Sequence, residues 1–253
     1  MGKRFYHFLR FVLLAVLFFS CAATKKDDHR LSSIESRNIQ IDSTLSANPD
    51  LMAFIQPYRE DLHQKMGVVI GSAAIELSKG KPEAPLNNFI ADLMLERANQ
   101  EFEKEVQVAL TNLGGLRTDI PYGPITLGKI YEVMPFENEL VVLEMNGMQL
   151  ITLAKEIGQV GGEPISGMVL EFQGENISKL LVSQQPVEND SIYYLTTTDF
   201  LSSPGRNRFA ILSTVPRTFL GVTLRDAIID KVKTLHAAGE SISAQIEGRI
   251  IIE

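Results

Sequence analysis

The sequence predicts an α+β domain, and three observations predict it. From about Leu62 onward, strand-like and helix-like segments alternate without the strict strand–helix–strand rhythm of a purely parallel sheet. Two apolar runs, Met168 to Phe172 and Ile177 to Val182, flank Gly174-Glu175-Asn176, the pattern of a hairpin. Hydrophobic residues make up 45% of 253 positions, enough to fill one sizeable core.

The chain opens on a different pattern. Lys3, Arg4 and Arg10 precede an unbroken apolar run from Phe11 to Phe19, followed by Ser20-Cys21-Ala22-Ala23. That run is shorter than the roughly 20 residues needed to span a bilayer, and with its basic flank it reads as a signal peptide. The only cysteine, directly after the apolar core, resembles the lipobox of bacterial lipoproteins, although Phe18 stands where leucine is usual. The resemblance implies cleavage before Cys21, acylation of its thiol, and an exported protein held at a membrane, on the periplasmic face or the cell surface. Cleavage after Ala23, or an uncut apolar anchor, are the other readings. Lys26-Asp27-Asp28 resembles a surface-export signal of lipoproteins and equally reads as a solvated tail. Residues 1–20 are thus expected to be the signal peptide and 21–60 a lipidated cysteine with a polar tether. Residues 61–253 are expected to form a single domain.

Within that domain, Met66 to Leu77 is rich in Val, Ile and Ala and reads as strand. Leu86, Phe89, Ile90, Leu93, Ala98 and Phe102 recur at helical spacing, predicting a helix over 86–102. Val106 to Thr111 is a short apolar strand. Leu127 to Met134 reads as a short helix capped by Thr126. Leu140 to Met145 is a strand, Asn146-Gly147 a turn signal, and Met148 to Ile157 a helix closed by Gly158. Ile192 to Thr198 is a strand, Leu224 to Ala238 a helix, and Ile246 to Ile252 a last strand.

Charge and residue inventory exclude several functions. The whole chain carries a net charge of −7, and the basic leader conceals a more acidic body. A nucleic-acid partner would call for a basic face. A second cysteine is absent, so no internal disulfide can form. Of the four histidines, His7 lies in the leader and His29 in the tether, while His63 and His236 lack a second histidine at ligand spacing. Asp61-Leu62-His63 has no strand before it and no partner ligands after it. No nucleophile elbow and no phosphate-binding loop appear. No catalytic residue, no metal site and no cofactor are therefore expected in this chain.

Three stretches carry binding chemistry instead. In Thr111-Asn112-Leu113-Gly114-Gly115-Leu116-Arg117, paired glycines permit close backbone approach. Asn112 can donate and accept, and Arg117 can grip an anion. A plain turn with a surface arginine is the alternative. In Val133-Met134-Pro135-Phe136-Glu137-Asn138, the loop aromatic is either a core plug or a stacking surface. Thr196-Thr197-Thr198-Asp199-Phe200-Leu201-Ser202-Ser203-Pro204-Gly205-Arg206 leaves a strand for a loop whose phenylalanine either folds back or faces a ligand.

In this order and spacing the three stretches resemble the C-terminal domain of the 5'-nucleotidase family. That family carries Asn-x-Gly-Gly-Ile-Arg, then Gly-x-Ile-Thr and a short helix leading to Pro-Phe, then Asn-Phe-x-x-x-Gly-Gly-Asp-Gly. Gly123-Pro124-Ile125-Thr126 stands before the helix that leads to Pro135-Phe136, and Asn87-Asn88-Phe89-Ile90-Ala91-Asp92 resembles a family helix start. The resemblance covers about Leu86 to Glu253 and implies layered mixed sheets with helices. It implies that Phe136 and Phe200 stack a nucleotide base while Asn112 and Arg117 hold the remainder. In the third motif Pro204-Gly205-Arg206-Asn207 replaces Gly-Gly-Asp-Gly. Arg206 cannot accept the ribose hydrogen bonds that an aspartate can, which implies either a ligand with an extra phosphate or no ribose recognition. Lys79 or Lys81 stands near the place of a further family arginine. Whole family members place hydrolysis on an N-terminal two-metal domain. The resemblance thus implies the specificity half of a split exported hydrolase, with catalysis on a separate metallophosphatase chain. A non-enzymatic nucleotide- or phosphate-ester-binding surface lipoprotein is the alternative.

Overall fold

The computed structural model describes residues 36–42, 44–205 and 209–253. The expected signal peptide, the expected lipidation site Cys21 and Arg206 lie outside the described residues. The chain divides into two units, Met1–Pro49 and Asp50–Glu253. In the first, the Asp42 carboxylate accepts from the Thr44 N–H at 2.9 Å, closing a local turn.

The second unit begins with helix α1, Pro49–Met66. Sequence reading carried the tether to residue 60, because the segment shows no buried-helix pattern. Its apolar residues Leu51, Phe54, Ile55, Tyr58 and Leu62 do recur at helical spacing, but all are exposed and none of the helix is buried. This helix falls in the same compact unit, Asp50–Glu253, as the elements that follow it.

Strand β1, Val69–Ala73, is shorter than the apolar run that predicts it and pairs antiparallel with β3, Gly123–Thr126. Helix α2, Pro85–Glu101, follows, with proline at its start where no N–H bond is lost. Strand β2 is Val108–Leu110. The Thr126 hydroxyl accepts from the Lys129 N–H at 3.1 Å and caps helix α3, Leu127–Val133, as the sequence predicts. Strand β4, Glu139–Asn146, leads into helix α4, Gly147–Gln159. Asn146 is a helix cap and not a turn. Its side chain and that of Gln149 exchange hydrogen bonds with each other's backbone at 2.9 Å. Gly158 does not end α4. It lies inside the helix and is glycine because a Cβ there would sit 2.4 Å from the Phe172 ring.

Strands β5 (Ile165–Ser166), β6 (Met168–Gln173), β7 (Asn176–Val182) and β8 (Gln185–Pro186) come next. The hairpin expected at Gly174 is the β6–β7 pair. Strand β9, Ile192–Thr198, runs into a short helix α5, Asp199–Ser202, where the sequence suggests only loop. Strand β10, Arg217–Thr223, has no counterpart in the sequence reading, since its residues are mostly exposed and lack an apolar run. Helix α6, Leu224–Ala237, and strand β11, Ile250–Ile252, close the chain.

The described strands form three sheets: β1-β3, a mixed sheet β10-β4-β9-β2-β5, and a mixed sheet β11-β6-β7-β8. Period-two alternation splits the five-stranded sheet cleanly. Ala109 and Leu140 face a core shared with Leu86, Ile90 and Met94 of α2 and Ile228 and Val232 of α6. Val108, Leu110, Val141 and Leu143 face a second core with Leu150, Leu153 and Ile157 of α4 and Leu170 and Phe172 of β6. The result is the layered α+β architecture, with the five-stranded sheet sandwiched between the helix pair α2/α6 and a layer of α4 plus the four-stranded sheet. No helix among the described residues is long and apolar enough to cross a membrane.

Candidate functional site

Strands β2 and β9 lie side by side and parallel, with Ala109 opposite Thr196. Their carboxyl ends therefore deliver Asn112 and Phe200 to the same edge of the sheet. Strand β4 is antiparallel to β9, with Leu140 opposite Thr198, so the loop that feeds β4 arrives at that edge as well. Topology thus collects the three sequence stretches, although they lie far apart along the chain. Ligand sites commonly form outside the carboxyl ends of parallel strands.

A cleft of about 330 Å³ opens there, lined by Asn112, Gly114, Gly115, Arg117, Phe136, Asn138 and Phe200. Four of the five residues singled out from the sequence line it. Phe136 is 42% exposed and Phe200 36% exposed, so neither ring is a core plug. Asn138, part of the second stretch, joins them.

The glycine pair has a different role from the one its sequence suggests. Residues Leu113–Gly115 form a 3-10 turn whose Gly115 N–H donates to the Asn112 carbonyl at 3.0 Å, so that N–H is already used. Neither glycine has a positive φ. A Cβ on Gly115 would lie 3.3 Å from the Asn112 side-chain oxygen, and one on Gly114 3.4 Å from its nitrogen. The pair makes room for the Asn112 amide. Buried Glu163 supports the turn from below, accepting from the Leu113 N–H at 2.6 Å. Arg117 is exposed; its backbone N–H donates to the Val133 carbonyl at 2.8 Å, while its side chain, among the described residues, makes one long hydrogen bond of 3.5 Å to the Gly114 carbonyl. No carboxylate among the described residues pairs with it, which leaves its guanidinium available to an anion.

Two further residues, neither among the expected ligand contacts, hold the aromatic loops. The Asp199 carboxylate accepts from its neighbour's N–H, Phe200, at 2.8 Å and from the Glu139 N–H at 3.1 Å. It thereby joins the helix that carries Phe200 to the end of the loop that carries Phe136. Arg225, at the start of α6, donates to the Pro135 carbonyl at 3.1 Å and to the Glu137 carboxylate at 3.0 Å.

Lys79 and Lys81 are committed elsewhere. The Lys79 ammonium donates to the Leu116 carbonyl at 2.5 Å. That of Lys81 bonds the Val160 carbonyl and lies 3.7 Å from Glu163. Lys79 thus braces the first loop directly, Lys81 contacts the Glu163 that supports it, and neither lines the cleft. Among the described residues no group of three or more His, Cys, Asp or Glu side chains could hold a metal ion.

The sequence model of the family described as "5'-nucleotidase, C-terminal domain" matches residues 67–214, more than half of the chain. The chain belongs to that family. A trifunctional nucleotide phosphoesterase of Bacillus subtilis is 26% identical over 233 residues, covering 84% of this chain and 16% of that protein. The protein UshA of Yersinia enterocolitica is 22% identical over 227 residues, covering 85% of this chain and 40% of UshA. Among solved structures, a 5'-nucleotidase precursor from Thermus thermophilus superposes with a TM-score of 0.67 at 27% identity, covering 80% of this chain and 42% of that one. This chain thus spans well under half the length of these relatives, and the fold described above is the family's C-terminal domain fold.

Proposed function

We propose that this chain is the nucleotide-binding, specificity half of an exported 5'-nucleotidase-like hydrolase whose catalytic metals reside on a separate metallophosphatase chain. One observation carries the reading. Two half-exposed phenylalanines face a cleft that also holds two asparagine amides and an arginine without a carboxylate partner. An aromatic ring left in water forgoes the stabilisation that burial would bring, and a base stacked on it recovers about 1–3 kcal/mol as binding energy. Asn112 and Asn138 can each both donate and accept, which suits the edge of a base or a ribose. Arg117 suits a phosphate. Membership in a family named for 5'-nucleotidases favours a nucleotide over other anionic aromatic ligands.

Acylation of Cys21 would hold the chain at a membrane, and Arg206 would face the ligand where the family has an aspartate. The experiment is calorimetry of the mature chain with AMP, followed by the same titration with Phe136→Ala and Phe200→Ala. Each variant is expected to weaken AMP binding by about tenfold. The chain alone is expected to hydrolyse no nucleotide, and to support hydrolysis when mixed with a metallophosphatase exported by the same cell. Metal-dependent hydrolysis by this chain alone overturns the split assignment. AMP binding that no metallophosphatase turns into hydrolysis favours a binding lipoprotein. Cys21→Ser should release the protein from the membrane fraction.

A further inference from the structure

Arg225 occupies a position that general physics disfavours three times over. It is a cation in the first turn of α6, where the helix dipole repels positive charge. Its side chain is only 8% exposed. Its Nε is buried and, among the described residues, has no hydrogen-bond partner. Real proteins tolerate such local violations where a site requires them.

What Arg225 holds is the segment around Phe136. Nη1 donates to the carbonyl of Pro135 at 3.1 Å, and Nη2 to the carboxylate of Glu137 at 3.0 Å. The two bonds bracket Phe136 on either side. The guanidinium lies 4.4 Å from the centroid of the Tyr131 ring, which fixes its plane. One residue earlier on α6, the Leu224 N–H donates to the Asn138 carbonyl at 2.9 Å. The first turn of α6 therefore grips Pro135, Glu137 and Asn138, while the Phe136 ring stays 42% exposed. An exposed ring has few contacts of its own to orient it, so its backbone must do so.

We infer that Arg225 is a positioning residue that holds Phe136 in its base-stacking pose, an inference that rests on the nucleotide-binding reading above. It touches no ligand itself. Its planar fork reaches a carbonyl and a carboxylate at once, a geometry that the single ammonium of lysine cannot reproduce.

The test compares AMP with ribose 5-phosphate, which lacks the base, by calorimetry on the mature chain. Arg225→Ala is expected to weaken AMP binding by about tenfold and to leave ribose 5-phosphate within about twofold. Arg225→Lys should restore AMP affinity only in part. Thr223→Ala, which removes the cap of the same helix, serves as the structural control. Thr223 Oγ accepts from the Asp226 N–H at 3.1 Å, so its loss should lower Tm without changing the ratio of the two affinities. An unchanged ratio in Arg225→Ala, or an equal loss in Thr223→Ala, overturns the proposal while leaving the nucleotide reading intact. A wild-type chain that binds AMP no better than ribose 5-phosphate defeats base stacking, and this inference with it. Should Arg225→Ala fail to fold, the ratio in Arg225→Lys decides: a lowered ratio supports the role and an unchanged ratio refutes it.

Discussion

Arg117 is the residue on which charge recognition turns. It is exposed, it leaves the 3-10 turn beside Asn112, and its guanidinium has no carboxylate partner among the described residues. An arginine in that state gains a charge-assisted, bidentate contact from a phosphate without first breaking an ion pair. Arg117→Ala should therefore weaken AMP by about tenfold or more while changing adenosine little, since a hydrogen bond to a charged group contributes about 1.5–3 kcal/mol. Paired titrations with the two ligands check this. Equal losses for both would mean that Arg117 shapes the loop and does not read the phosphate. Phe136 and Phe200 belong to the complementary experiment, because their loss should affect both ligands alike.

At the scale of elements, the site depends on how a short helix and a loop are joined. Asp199 is the joint, accepting N–H bonds from Phe200 in α5 and from Glu139 at the head of β4. Its own carbonyl accepts from the hydroxyls of Ser202 and Ser203, which closes the turn of α5. Asp199→Ala leaves the Glu139 N–H without its partner and frees the two aromatic loops to move apart. AMP affinity should fall by several-fold, and Tm by about 2–4 °C for each kcal/mol lost in a domain of this size. Calorimetry and thermal melts on the same samples separate the two effects. Asp199→Asn retains a carbonyl acceptor and should recover most of both.

The same joint explains what could be read from the chain in advance. Thr126 as a cap, the Gly174 hairpin and the spacing over residues 86–102 are local signals, and local signals survive in sequence. The cleft was legible because its residues sit in recognisable loops next to strands. Asp199 and Arg225 were not, because each acts on a partner 60 to 90 residues away that only the sheet order brings close. Strand β10 escaped for a related reason, since pairing with β4 and not its own pattern makes it a strand. Helix α1 escaped because its apolar stripe is exposed, and so looks like scattered hydrophobic residues in a polar tether.

The Asp50–Glu253 unit is closed by a polar lock between α2 and the residues just ahead of its last strand. Arg249 donates to both oxygens of Asp92, at 2.7 and 2.8 Å, and to Glu247 at 2.8 Å. Its Nη1 also reaches the Ile165 carbonyl at 2.9 Å, and Ser166 bonds Asp92 at 2.6 Å, so β5, β11 and α2 share one network. Glu83, just ahead of α2, accepts from the N–H groups of Glu247 and Arg249 and from the Asn88 amide. Burial pushes the Glu83 carboxyl upward, but the Asn88 amide, the two backbone N–H groups and the Arg249 charge together outweigh it. The net result lies below the ordinary value of 4.5. A carboxyl whose folded value is depressed stabilises the protein above its unfolded value, and that contribution is lost as pH falls through the folded one. The lock should therefore weaken as the medium drops below about pH 4.5. Glu83→Gln keeps one acceptor oxygen and turns an amide donor toward the N–H that the other oxygen now satisfies. At pH 7 its Tm should lie a few degrees below wild type, and the gap should narrow as the pH falls below about 4.5 and the wild-type carboxyl takes up its proton. Melts recorded across that range test the sign directly: a gap that widens in acid would mean that Glu83 does not hold the C-terminal strand through its charge. AMP affinity at pH 7 should be unaffected, because the lock does not line the cleft.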